Sequence, residues 1–311
     1  MIDIDKIVGR CLTSDSYRVS DILTMPSNWL KVEIRDNVPM IIGCEKLPDG
    51  LIEERQGSVF KMISETCRVK QIPNLILAYC THDRPPFDGP FFTHARIKGS
   101  GTKAILSPCF TFDAYPQGPN SDLVSYSETF EKLVSIGGLK WRDRKDSVAF
   151  VGHIGDNNNR LYNTDLSFDS PVSLSLINQQ ASSSNFVSRE SLNEYKFLLH
   201  LNGNNGAYAS RFKYLLGAGS LVFYNYNSGD QTNFWEEWWM DSEFFRNGEH
   251  FVACENRKEF ERSLDYFFSN ESEAKEIALN GFNFFSENLK PDVVLEFWGS
   301  LLNEYSKRLI W

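Results

Sequence analysis

"KFLLHLNGNNGAYASRFKYLLGAGSLVFYNYNSGD", residues 196–230, decides how the rest of the chain is read. An apolar run, a loop of glycine and asparagine, an arginine-led helical segment, a glycine turn and a second apolar run follow in that order. This is the order of a βαβ unit, in which two parallel strands are joined through a helix. A helix start beyond a glycine-rich loop offers unpaired backbone N–H groups and the positive end of a dipole, which suits an anion such as a phosphate. Ser210 can cap that helix, Arg211 offers a forked donor to phosphate oxygens, and Lys213 adds a second cation. An ordinary, well-made βαβ turn has the same features. The pattern G-x-x-x-x-G-K-[ST] is absent, so this is not a Walker loop.

Working outward, "VPMIIGCE" and "NLILAYC" read as buried strands, with "GSVFKMISETCRV" at helical spacing between them and a further strand near "AILSPCF". "YSETFEKLVSIGG" predicts a helix capped by Ser127 and stopped at Gly137–Gly138. A strand at 147–151 opens into a polar loop, and residues 163–189, rich in Ser and Asn, read as irregular. Beyond the quoted stretch come a strand "EHFVAC", a helix "RKEFERSLDYFFS" and a helical pattern interrupted or kinked at Gly281. A last helix follows, with Pro291 in its first turn and Val294, Phe297, Trp298, Leu301, Leu302, Tyr305 and Leu309 on one face. Alternating strands and helices predict an α/β fold in two halves, with a boundary near 135–145. In open α/β sheets ligands sit at the carboxyl ends of strands.

The loops beyond those ends supply the remaining candidates. "LILAYCTHDRPPFDGP" places Asp83 directly after a strand, where a carboxylate can take a proton from a hydroxyl; the alternative is a loop Asp capping a turn before Pro85. "VAFVGHIGD" delivers Gly152 and His153 beyond a strand end, either for close backbone approach to a ligand or as a plain strand–turn. "FWEEWWMDSEFF" sets Glu236 and Glu237 among indoles, as a grip for a sugar or ribose or as a buried aromatic cluster. The histidines have no metal-ligand spacing, and no G-x-S-x-G suggests a serine hydrolase. A dinucleotide-dependent dehydrogenase needs a full glycine fingerprint early in the chain, and "GSGTKA" is only part of one.

With 311 residues the chain is long enough for two domains or one large one. Six scattered cysteines without C-x-x-C read as reduced thiols. A net charge of -9 argues against broad binding to nucleic acid or anionic membranes. No apolar run approaches the roughly 20 residues that cross a bilayer, so no transmembrane segment is expected. "MIDIDKIVGRCLTSDSY" lacks the pattern of a secretory signal.

"NGAYASRFKYLLGAGSLVFY" resembles glycosyltransferase family 90. "KWRDRKDSVAFVGH" is similar to the family's tryptophan, basic run and strand, "WEEWW" to its Glu followed by aromatics, and "LAYCTHDRP" to its strand, Asp and Pro. "SPCFTF" is similar to its Pro-x-aromatic segment, and "SNESEAKEIALNGFNFFSENL" and "FWGSLLNEYSKRL" resemble its two closing helices. The resemblance implies a GT-B architecture of two Rossmann-like domains facing across a cleft. The first would be residues 1–138 on the acceptor side, joined by the returning C-terminal helix at about 291–311; the second, residues 139–290, would bind the UDP-sugar. It implies an inverting, metal-independent enzyme moving xylose or glucose from a UDP-sugar donor to an acceptor hydroxyl on a glycan or polysaccharide, with no cofactor. Carried over by position, Asp83 would be the general base and Arg211 the diphosphate contact, with Lys213 assisting; Gly152 would line the donor site and Glu237 would serve the donor ribose. Val151 and His153 depart from the family's usual Arg and Ser, which motivates the alternative of an inactive sugar- or nucleotide-binding protein. Since eukaryotic members act in the secretory pathway, a cytoplasmic bacterial or viral protein is the expectation.

Overall fold

The computed structural model describes residues 1–43, 50–85, 89–116, 123–137, 140–152, 173–178, 188–203, 206–226 and 233–311. In chain order they form α1 (Ile4–Cys11), β1 (Leu30–Arg35), β2 (Val38–Gly43), α2 (Gly50–Val69), β3 (Leu75–Cys80), β4 (Phe92–Thr93) and β5 (Ile105–Leu106). Then follow α3 (Tyr126–Ile136), β6 (Lys145–Gly152), β7 (Ser173–Asn178), β8 (Tyr195–Leu201), α4 (Phe212–Gly217), β9 (Leu221–Asn225) and β10 (Val252–Cys254). The helices α5 (Arg257–Ser269), α6 (Glu271–Asn288) and α7 (Pro291–Ser306) close the chain. The class is mixed α/β. Among the described residues no helix is long and apolar enough to cross a membrane.

Two compact units divide the chain: Met1–Tyr115, Trp235–Asp241 and Lys290–Trp311 make unit 1, and Pro116–Phe234 with Ser242–Leu289 make unit 2. The expected division after residue 138 differs from this in two places. Helix α3 clusters with unit 2, and residues 235–241 cluster with unit 1.

Unit 1 is built on a sheet in the order β2-β1-β3-β4-β5. β1 runs antiparallel to both β2 and β3, while β3, β4 and β5 are parallel. The sheet of this half, expected to be Rossmann-like, is thus mixed. The cause is local: Asp36 (φ 52°) and Asn37 (φ 65°) form a two-residue turn that folds β2 back on β1. Asp and Asn tolerate left-handed backbone better than other side chains, and two such residues favour a tight hairpin. Asn37 ties the turn down, donating to Cys67 O and accepting from Ile72 N. β2, read from its apolar run as buried, is instead an edge strand with Val38 and Ile41 exposed.

Helix α7 covers this sheet with the predicted face: Val294, Phe297, Trp298, Leu301, Leu302 and Tyr305 are all buried. Phe92 stacks on Trp298 and meets Tyr305 edge-on, and the Tyr305 hydroxyl donates to Ile76 O at 3.0 Å. Leu309 falls beyond the helix, in a short pair with residues 17–18. The five described cysteines are buried and form no disulfide with one another, and burial pushes the thiols of Cys11, Cys80 and Cys254 up to about 12.

Unit 2 holds an all-parallel sheet in the order β7-β6-β8-β9-β10. β8 and β9 are buried at every position, as strands covered on both faces must be. The chain begins at β6 inside the sheet, steps to β7 on one side and returns to β8 on the other. That reversal is a topological switch point between β6 and β8. Helix α3 starts two residues earlier than a Ser127 cap predicts, because Ser125 is the cap and accepts from Glu128 N at 3.2 Å. Ser125-x-x-Glu128 has the spacing of a capping box. α6 runs unbroken through Gly281, contrary to the predicted interruption. A Cβ there would stand 2.5 Å from His250 O, so the glycine serves close packing and not a kink.

Candidate active site

The quoted stretch supplies the carboxyl end of β8, the following loop and α4, as its sequence order predicts. At that end Asn202 is buried and donates to Tyr226 O (3.2 Å) and Asn233 O (2.8 Å), while accepting from the Tyr224 hydroxyl (3.2 Å). This network ties the loops leaving β8 and β9 to the sheet. Gly203 N donates to Ala207 O at 2.6 Å, and Gly206 takes a left-handed φ of 76°, which explains the glycines of this loop.

Arg211 is the N-cap of α4 and makes no side-chain cap bond. Its guanidinium reaches instead to the adjacent strand end, where Nη1 donates to Val151 O at 2.6 Å and Cζ lies 5.1 Å from the Phe150 ring centroid. Gly152 is what admits it: a Cβ there would stand 2.4 Å from Nη1. Arg211 and Gly152, paired on paper only through the family resemblance, are therefore neighbours at the carboxyl end of β6. This is the switch point, where open α/β sheets bind ligands.

Other expectations for this loop are corrected. Ser210 does not cap α4; its carbonyl accepts from Lys213 Nζ at 3.2 Å. Lys213 is wholly buried, with Nζ 4.9 Å from the Tyr214 ring centroid, so it braces the turn from inside rather than offering a surface charge. α4 has only six residues, so its dipole is small and Arg211 carries the positive charge here. His153 lies outside the described residues, as does most of 163–189.

In unit 1, Asp83 follows β3 with its carboxylate 47% exposed. Arg55 of α2, only 14% exposed, holds it: Nη1 donates to Asp83 Oδ1 at 2.8 Å and to Thr81 O at 3.2 Å. Among the described residues Arg55 is the only side-chain partner of this carboxylate, and Oδ2 stays open. Sequence reasoning missed Arg55, since nothing in "LIEERQGSVF" marks a residue that meets a loop 28 positions later. Glu237 belongs to unit 1 and not to the half expected to bind the donor. It is buried with Trp238 and Trp239, close enough to Tyr79 to add to the rise that burial imposes on that hydroxyl. Trp238 stacks on Phe297 at 4.1 Å, and Glu236 pairs with Arg96 at 2.8 Å. The aromatic-cluster reading of "WEEWW" describes these contacts.

A cavity of about 740 Å³ lies at the other end of the unit 2 sheet, beside Trp141, Arg144, Glu271 and Phe282. Two of its charged groups serve the fold. Arg144 holds Ala218 O, Ser220 Oγ and Gly137 O, with burial bringing it down to about 10, and Glu271 takes both Trp141 Nε1 and Lys196 Nζ.

Residues 75–311 match the profile of glycosyl transferase family 90. The O-glucosyltransferase rumi of Drosophila melanogaster is 26% identical over 276 residues, 78% of this chain and 62% of the fly protein. Protein O-glucosyltransferase 1 of Bos taurus is 32% identical over 117 residues, 37% of this chain and 27% of the bovine one. The Homo sapiens protein of that name is 31% identical over a stretch of the same length. The chain thus spans less than two thirds of the length of these curated relatives. A match over more than half of the chain, on the segments that build both strand ends described above, settles the grouping: this protein belongs to glycosyl transferase family 90.

Proposed function

We propose that this chain is a glycosyltransferase of GT-B type that moves a sugar from a UDP-sugar to a hydroxyl of a glycan, polysaccharide or protein acceptor, with inversion and without a metal. The observation that carries this reading is the guanidinium of Arg211 seated at the switch point over Gly152. A guanidinium has five N–H donors in a fork that matches phosphate oxygens, so one bond to Val151 O is compatible with others to a diphosphate. The printed names of the relatives favour glucose as the transferred sugar. Val151, a departure from the usual family residue, does not weigh against the reading, because Arg211 uses its backbone carbonyl.

In this mechanism Asp83 takes the proton of the acceptor hydroxyl as its oxygen attacks C1 from the face opposite UDP. The C1–O bond to UDP breaks, its electron pair passes to the diphosphate, and Arg211 stabilises the charge that develops there. Removing a donor aimed at developing charge costs roughly a hundredfold or more in turnover. Asp83→Asn tests the base: it keeps UDP affinity and loses transfer. Wild-type turnover in that variant sinks the assignment.

A further inference from the structure

We propose that Arg55 is a positioning residue for Asp83, supplied by a helix outside the matched residues 75–311. This inference rests on the reading of Asp83 as the base. One nitrogen, Nη1, holds both the Asp83 carboxylate and the carbonyl of Thr81 two residues earlier. The two bonds fix the side chain relative to its own backbone, since both ends of the short Thr81–Asp83 segment hang on one rigid plane. That plane is itself immobilised, lying 4.7 Å from the Phe110 ring centroid. The exposures differ as the role requires: the arginine is inside at 14%, the carboxylate half outside at 47%. Oδ1 is held by the clamp, and Oδ2 is left to meet a hydroxyl.

Helix α2 meets the same region at a second point. Lys61, further along it, pairs with Asp113 at 2.7 Å, just past the short turn Phe110–Phe112 that carries the stacking ring. The other charged or titratable groups next to Asp83 and Arg55 in sequence are His82, Arg84 and Glu54. None of these is an ion-pair partner of Asp83 among the described residues.

The test reads Asp83 directly. Protein labelled with 13C at aspartate Cγ gives a resonance assigned by its loss in Asp83→Asn. Arg55→Gln displaces that resonance, and Arg55→Lys, which keeps a cation within reach, displaces it less. An Asp83 resonance unmoved in Arg55→Gln overturns the clamp. Turnover then separates the clamp from the base. With UDP-glucose as donor and water or methyl glycosides as acceptors, Arg55→Gln lowers kcat for UDP release at least tenfold, leaves KM for UDP-glucose within twofold, and is partly rescued in Arg55→Lys. Full kcat in Arg55→Gln beside an inactive Asp83→Asn overturns the positioning role. An active Asp83→Asn with a displaced Arg55→Gln resonance instead removes the base reading and leaves the ion pair standing.

Discussion

Replacing Gly152 with alanine adds one methyl group, and the structure says where it goes. The new Cβ would stand 2.4 Å from Arg211 Nη1 and 3.1 Å from Phe150 Cζ. Non-bonded heavy atoms are comfortable at about 3.5 Å or more, so the guanidinium must move by about 1 Å. The strand need not yield, because the atom met is the tip of a flexible side chain and Gly152 has no left-handed φ that alanine would resist. The bond from Nη1 to Val151 O is lost with that movement, and Arg211 leaves the place from which it would meet a diphosphate. Hydrogen bonds to charged groups contribute about 1.5–3 kcal/mol, which corresponds to a loss in UDP affinity of about ten- to a hundredfold. Calorimetric titration with UDP measures it, beside a melting curve that stays close to wild type. The double variant sharpens the result. In an Arg211→Ala background the methyl group no longer meets the guanidinium and keeps only its 3.1 Å approach to Phe150 Cζ, so Gly152→Ala there costs no further affinity, and the pair is strongly non-additive. Additive losses, or UDP affinity within twofold of wild type in Gly152→Ala, refute the argument.

Three further outcomes follow from particular contacts. Lys213→Met lowers the melting temperature, by a stability loss of about 1–3 kcal/mol for a buried charged hydrogen bond, and leaves UDP affinity within about twofold; a tenfold loss of affinity at unchanged stability would return Lys213 to the ligand. Gly281→Ala destabilises despite the roughly 1 kcal/mol gain in helix propensity, because overpacking against His250 O costs about 1–3 kcal/mol; a higher melting temperature contradicts the close-packing account. Burial, opposed by Glu249, holds His250 below the usual 6.5, so the unfolded chain binds a proton first as pH falls. The stability that His250 contributes is complete above about pH 6.5 and declines below it, so melting temperature falls less between pH 7 and 5 in His250→Gln than in wild type. Equal slopes for the two proteins refute this.

The parts of the fold legible in the sequence are those fixed by local periodicity. The apolar face of α7 and the strand–loop–helix–strand order around Arg211 follow from residues close in the chain. Where the reading missed, distant or subtle partners decided. The run "VPMIIG" looks buried, yet Asp36 and Asn37 turn it back as an edge strand; two residues that tolerate left-handed backbone between alternating runs were the available signal. Ser125 and Ser127 are equal as caps in isolation, and Glu128 at the capping-box position distinguishes them. Gly281 is a kink or a contact according to whether His250 O lies against it, which no local pattern reveals. The site divides in the same way. Arg211 and Asp83 stand in recognisable frames, whereas Arg55 is marked by nothing but its place in space, and Lys213 reads as a surface cation until the helix turns it inward.

The most direct measurement is UDP release from a panel of UDP-sugars with and without hydroxyl acceptors, in the presence of a chelator. The account predicts acceptor-dependent release, fastest with UDP-glucose, that persists without divalent cations and is abolished in Asp83→Asn. Release that requires added metal, or equal release from Asp83→Asn and wild type, contradicts it.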